Sequence, residues 1–205
     1  MVIKAIVFDI WDTILRNKSN KTHDNLMNFI KQNLGESFID KIMITNTNLD
    51  EFYNYFKQTC GAMKLKKLKI LMTKHTKTNY IEFSDFEYIL PLMKDYKYGI
   101  ISNCSFVTKE IINNWGYKKI FDFVIYSYEE ELKKPDKKIF DKAVKKLNLR
   151  PNEILFIGND YDKDYIGAKN AGLNSVLIDR KNEHKEIKER ITSFKQLENY
   201  LKKIK

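Results

Sequence analysis

Cysteine is scarce in this chain: only Cys60 and Cys104 occur among 205 residues. Two cysteines in no metal-ligand spacing exclude a disulfide framework and a cysteine-built zinc site. They read as free thiols of a reducing compartment. Long apolar runs are missing too; none approaches the ~18–20 residues that a membrane-spanning helix needs. The first residues pass straight into a strand pattern, with no cationic leader and no small-residue cleavage site. Internal repeats, low-complexity tracts and obvious linkers are absent. These absences lead to the expectation of a soluble, cytoplasmic protein with no membrane partner. The length suits one domain, or a core with a small insertion.

What is present is the material of a packed core. The hydrophobic fraction is 43% and the aromatic fraction 13%, which argues against disorder. The formal net charge of +10 attracts anions, either nucleic acid or phosphorylated metabolites. No basic block is interleaved with exposed aromatics in a nucleic-acid module, so no nucleic-acid partner is expected. The excess lysine reads as a solvated surface.

Apolar strand patterns recur at Val2–Phe8, Tyr98–Ser102, Phe121–Ser127, Ile154–Gly158 and Ser175–Asp179. Helical patterns alternate with them from about residue 84. They cover Asp85–Tyr96, with Ser84 and Glu87 as a capping box, then Val107–Asn114 and Pro135–Leu147 with proline in its first turn. Gly167–Ala171, closed by Gly172, and Phe194–Lys203 follow. This alternation predicts a parallel sheet covered on both faces. Residues 16–83 break it. They hold no strand signal, only helical patterns at Thr22–Leu34, Phe38–Ile44 and Asp50–Met72, the last capped by Asp50. A helical insertion at a ligand-binding edge reads as a lid. The basic stretch 64–77 within it reads as a solvated helix face rather than a clamp for an anion.

Chemistry-bearing residues sit at or just past strand ends, where open α/β sheets bind ligands. Asp9 ends the first strand and can attack an electrophilic phosphorus or carbon. Such a carboxylate repels an anionic substrate, so cations are needed. Lys134 supplies a fixed one, and Mg²⁺ held by hard oxygen ligands can supply more. Ser102, with Asn103 beside it, offers a hydroxyl donor, and the backbone after Asp9 forms an anion-binding turn.

Four ordered motifs combine these residues. They are Phe8-Asp9-Ile10-Trp11-Asp12-Thr13, Ile100-Ile101-Ser102-Asn103, Lys133-Lys134-Pro135, and Ile157-Gly158-Asn159-Asp160 continuing through Asp164 to Gly172. Together they resemble the haloacid dehalogenase (HAD) superfamily of aspartate-nucleophile hydrolases over the full chain. The resemblance implies a three-layer, Rossmann-like α/β core with a parallel sheet at 1–15 and 84–205. A small all-helical cap at 16–83 would follow the first strand. It implies a Mg²⁺-assisted phosphatase acting on a small anionic metabolite through an aspartyl-phosphate. The catalytic set would be Asp9, Asp12, Thr13, Ser102 and Lys134. Ser102, Asn103 and Lys134 would bind substrate. Asp9, the Trp11 backbone carbonyl, Asn159, Asp160 and Asp164 would hold the metal.

Three positions depart from the phosphatase pattern. Two residues after the nucleophile these enzymes carry an acid/base aspartate, and here Trp11 has no titratable proton. Asp12 stands where glycine is usual. Asn159 replaces the first carboxylate of the fourth motif. The family's 2-haloacid dehalogenases also carry an aromatic residue at position 11, which makes hydrolytic dehalogenation the alternative. They need no metal but use a cap arginine for the halide, and residues 17–83 contain no arginine. A silent fold that binds a phosphorylated ligand or a protein is a third reading.

Overall fold

The computed structural model describes residues 2–18, 21–76, 80–106, 109, 111–112 and 116–204. Its first strand, β1 (Ala5–Phe8), shows why the opening run is apolar throughout. Ala5 and Val7 pack on one side with Ile139, Phe140 and Ala143. Ile6 and Phe8 pack on the other with Tyr98 and Phe194. A strand covered on both faces leaves no polar alternation. Burying one Ile or Phe side chain contributes about 1.5–3 kcal/mol.

The short strand β2 (Leu15–Asn17) follows. The helices α1 (Lys21–Leu34), α2 (Ser37–Ile42), α3 (Leu49–Cys60) and α4 (Ala62–Thr76) come next. The short strand β3 (Tyr80–Glu82) closes this insertion. The rest comprises β4 (Lys97–Ser102), β5 (Phe123–Tyr126), α5 (Ser127–Glu130), α6 (Lys137–Leu147) and β6 (Ile154–Gly158). It ends with α7 (Gly167–Asn170), β7 (Asn174–Ile178), β8 (Arg190–Ile191) and α8 (Leu197–Ile204). Six strands pair in the order β5-β4-β1-β6-β7-β8. Every pairing is parallel, with Phe8 opposite Ile100 on one side and Ile157 on the other. This is the α/β, Rossmann-like arrangement expected. The ends of β1, β4 and β6 lie side by side, and there the sequence delivers Asp9, Ser102 and Asn159.

The insertion corrects several expectations. Residues 16–83 do contain strands: β2 and β3 pair antiparallel, with Arg16 opposite Ile81 and Asn17 opposite Tyr80. At three residues each they are too short to leave a periodic signal. The helix expected over Asp50–Met72 is two helices, because Gly61 takes a φ of 87°, a left-handed conformation that glycine adopts without a Cβ clash. Asn48 rather than Asp50 caps the first, accepting from the backbone N–H of Asp50 and Glu51. Lys64, Lys66, Lys67 and Lys69 are exposed, with Lys67 over the Phe29 ring and Lys69 over the Tyr53 ring. The insertion has no separate apolar interior. Leu26, Phe29, Phe56 and Leu68 belong to one buried cluster with the core, joined through the Phe52–Phe106 ring contact. Two polar ties also cross over. Lys133 pairs with Asp40 at 2.7 Å, and the Ser127 hydroxyl donates to the Met43 carbonyl at 2.7 Å.

Smaller corrections fall in the core. Ser84–Lys94 forms a 3₁₀ helix that receives no side-chain cap, so the Ser84–Glu87 box does not form. Pro135 precedes the α6 cap, Asp136, instead of occupying its first turn. The helix expected over Val107–Asn114 lies mostly outside the described residues.

Candidate active site

Asp9 follows β1 directly, and its backbone N–H donates to Ile157 O at 2.9 Å. Its side chain is 8% exposed. Lys134, itself 2% exposed, places Nζ 2.7 Å from Asp9 Oδ1 and 2.7 Å from Asp164 Oδ1. Two buried carboxylates thus share one ammonium. Burial pushes the Asp9 carboxyl up to about 6, against the pull of Lys134 and with the repulsion of Asp164 behind it. Burial would also discharge Lys134, but Asp164 and Asp9 outweigh it and hold the ammonium above its ordinary value. A removed partner would leave an uncompensated buried charge.

The turn after Asp9 is shaped for this task. Thr13 is fully buried, and its hydroxyl lies 3.3 Å from both Asp9 Oδ2 and Asn159 Oδ1. Asp12 has a φ of 56°. This left-handed geometry suits glycine and is tolerated by aspartate, which explains how Asp12 can replace the glycine usual there. Its side chain is exposed and lines the cleft. Trp11 is half-buried, with its ring 5.4 Å from that of Tyr80.

The other candidate residues differ in placement. Ser102 is fully buried at the end of β4, and its Oγ has no hydrogen-bond partner. Asn103 spends both ends of its amide on Lys134, accepting from the backbone N–H at 2.8 Å and donating to the carbonyl at 2.9 Å. It therefore positions the lysine. Asp160 caps the π-helical turn Tyr161–Ile166, accepting from the N–H groups of Asp162 and Lys163, and pairs with Lys163 Nζ at 2.7 Å. That turn carries Asp164 back under Asp160, whose N–H donates to Asp164 Oδ2 at 3.0 Å. Asp9, Trp11, Asp12, Asn103, Lys134, Asn159, Asp160 and Asp164 line one cleft of about 540 Å³.

Two supporting roles escaped sequence reasoning, that of Gly158, which the fourth motif contains, and that of Arg180. Gly158 is required by packing, since a Cβ there would stand 2.3 Å from Asp164 Oδ2. Arg180, just past β7, donates to the Thr13 carbonyl at 2.8 Å and to Asp85 at 2.9 Å, with Phe83 stacked 3.7 Å away. The strand end at β7 was the available signal for Arg180. Nothing in the local sequence marks the Gly158–Asp164 contact.

Comparison with known proteins places this architecture. The haloacid dehalogenase-like hydrolase family matches residues 6–178, so the chain belongs to that family and is an enzyme of the hydrolase class. A glyceraldehyde 3-phosphate phosphatase from Methanothermobacter thermautotrophicus is 25% identical over 194 residues, covering 86% of each chain. The crystal structure of a 2-haloacid dehalogenase from Pseudomonas syringae superposes with a TM-score of 0.74 at 14% identity over the whole of both chains. A HAD-family enzyme from Bacteroides thetaiotaomicron, in complex with magnesium and inorganic phosphate, gives a TM-score of 0.66 at 17% identity, covering 85% of this chain and 93% of that one. At such identities these structures establish the shared fold.

Proposed function

We propose that this protein is a phosphomonoesterase acting on a small phosphorylated metabolite, with Asp9 as nucleophile and residues 16–83 acting as a cap over the cleft. The observation that carries this reading is buried Lys134 held between Asp9 and Asp164. A phosphoryl group brought to Asp9 meets a fixed positive charge 2.7 Å from the attacking carboxylate. Asp9 attacks phosphorus, the ester oxygen leaves with its electron pair, and water then attacks the aspartyl-phosphate to regenerate Asp9. Ser102, expected to bind the phosphoryl group, ends the neighbouring strand fully buried and does not line the cleft, so its unpartnered hydroxyl would reach a phosphoryl oxygen only on a small opening, while Thr13 orients the nucleophile. The name of the archaeal relative supports a phosphorylated substrate.

The donor set suits Mg²⁺. Asp9, Asp164, the Asn159 amide oxygen and the Trp11 backbone carbonyl are all hard oxygens. Asn159 Oδ1 meets only the long Thr13 contact and keeps a lone pair for a cation. Among the described residues no three His, Cys, Asp or Glu side chains gather into a metal site, so this set depends on its amide and backbone oxygens. Asp160 supports the site through its cap rather than as a ligand. A bound Mg²⁺ would supply charge neutralisation of the phosphoryl oxygens. The Bacteroides enzyme, a protein of the same fold, holds magnesium together with inorganic phosphate. The dehalogenase reading rests on the aromatic at position 11. Its halide cradle would fall to Arg16, which lies over the Phe83 ring at 5.0 Å and lines the chamber beyond Trp11 but not the cleft at Asp9.

A panel of p-nitrophenyl phosphate, aliphatic phosphate esters and 2-chloropropionate, each with Mg²⁺ or a chelator, tests the proposal. Expected is phosphate release that needs Mg²⁺ and falls at least about 10³-fold in Asp9→Asn. Metal-independent chloride release would replace it with dehalogenation. No turnover, with thermal stabilisation by phosphorylated ligands, would make the fold a silent binder.

A further inference from the structure

Beyond Trp11 the cleft opens into a second chamber between insertion and core, with a volume of about 350 Å³. Its rim carries Asp12, Arg16 and Asp24, but one wall, unlike the floor at Asp9, is a run of rings in contact. Trp11 and Tyr80 meet with centroids 5.4 Å apart and an interplanar angle of 53°. Tyr80 continues to His75 at 6.0 Å, and His75 to His23 at 5.3 Å. Met27 and Ile39 line the same chamber. Trp11, Asp12, Met43 and Asn103 border both chambers, so a group leaving from a phosphoryl at Asp9 passes Trp11 to reach the aromatic wall. Asn17 also lines this chamber, and its Oδ1 is buried with no hydrogen-bond partner. An unsatisfied buried acceptor costs about 1–3 kcal/mol, which a donor on a ligand would relieve.

We propose that the substrate is an aryl phosphomonoester, its ring lodged in this chamber against Trp11 and Tyr80 and carrying a hydroxyl or N–H donor for Asn17. This rests on the phosphatase reading and deepens it. Chamber size and leaving-group chemistry agree. A volume of this size fits the lower end of drug-sized ligand pockets, whereas a triose leaves most of it unfilled. Trp11 cannot protonate a departing oxygen, and general acid catalysis is typically worth ~10²–10⁴-fold. A phenolate is a far weaker base than an alkoxide and loses much less without that help. In the step, Asp9 Oδ bonds to phosphorus and the P–O(aryl) bond breaks. The aryl oxide leaves with the electron pair and takes its proton from water. Hydrolysis of the aspartyl-phosphate then releases inorganic phosphate.

The test compares phenyl phosphate, acetyl phosphate and glycerol 3-phosphate as substrates. Acetyl phosphate has a leaving group that needs no proton and has no ring, so it reports the core chemistry alone. Wild type should use phenyl phosphate with a KM well below that of acetyl phosphate, and glycerol 3-phosphate poorly. Tyr80→Leu should raise KM for phenyl phosphate about 3–10-fold, the scale of one aromatic contact, and leave acetyl phosphate unchanged. Tyr80 is buried and bonded to His75, so Met27→Trp serves as the second variant. By filling the chamber it should block phenyl phosphate and spare acetyl phosphate. Equal KM values for the ring and ringless substrates, or variants that shift both alike, would overturn the aryl assignment and leave the phosphatase standing. Hydrolysis of none of the three would remove both.

Discussion

Trp11 divides two regions made of opposite materials. On its core side Lys134 lies between Asp9 and Asp164, and the Asp160 N–H holds the second oxygen of Asp164. On its insertion side Tyr80, His75 and His23 form a run of rings, with Arg16 and Asp24 at the edge of the chamber. The core side is held by strand ends paired in register, so its geometry follows from the sheet. The cap side is held by a three-residue ribbon and by packing between helices. The comparison teaches a division of labour. Fixed charge sits where the backbone is over-determined by the sheet, and the aromatic wall sits on an insertion whose packing can change without moving the nucleophile.

The strongest way to break that comparison is to remove the shared cation. Lys134→Met leaves Asp9 and Asp164 buried together without compensation. Breaking a buried ion pair in this way typically costs about 3–5 kcal/mol. Expected is a fall in stability of that order, read by denaturant unfolding, with phosphate release lost. Added Mg²⁺ should return part of the stability, because a cation can replace the ammonium between the two carboxylates. A variant as stable as wild type would show that the core-side charges are solvated, and the contrast between the two regions would dissolve.

A smaller perturbation tests how tightly the fourth motif is held. Gly158→Ala puts a methyl group where Asp164 now lies, 2.3 Å from Oδ2. Asp164 must move, and Lys134 with it. Supporting-residue changes of this kind typically cost 10–100-fold in metal affinity or activity. Calorimetric titration with Mg²⁺ checks this, alongside acetyl phosphate turnover. Unchanged affinity would mean that Asp164 does not need its present position.

How much of this was legible in the sequence follows the same divide. The strands at Tyr98–Ser102 and Ile154–Gly158 were readable because burial on both faces leaves unbroken apolar runs. Asp9, Lys134 and Asp164 were readable as candidates because each follows a strand or its loop in motif order. That one ammonium bridges both carboxylates was not, since it depends on Asn103 gripping the lysine backbone and on the π-turn after Asp160. The cap side was nearly silent. His75 and Tyr80 are near neighbours in sequence, but His23 stands far from both with no motif between them, and it meets His75 only because α1 packs on α4. The break at Gly61 depends on one left-handed residue that helical periodicity does not register.

The mildest test uses pH, and there the two regions pull in opposite directions. Burial, with the nearby charge of His23, lowers the His75 imidazole to about 4, against 6.5 when solvated. Between those values the unfolded chain binds the proton more readily than the native one. The contribution of His75 is therefore complete above pH 6.5 and is lost as pH falls toward 4. Asp9 has the reverse sign. Its carboxyl is raised from 3.8 to about 6, so the native state binds the proton more readily, and acidification through pH 6 adds stability. Each effect amounts to about 1–2 kcal/mol once relaxation of the surroundings is allowed for. In metal-free wild type the two largely cancel between pH 7 and pH 5, so the unfolding free energy should change little. His75→Gln leaves the Asp9 effect exposed, and that variant should hold or gain stability as pH falls. Asp9→Asn leaves the His75 effect exposed, and its stability should fall more steeply than that of wild type. Denaturant midpoints taken at half-unit pH steps in the presence of chelator separate the two slopes. If both variants follow the wild-type curve, then neither the neutral ring on the cap side nor the crowded carboxylate on the core side is set by burial as described.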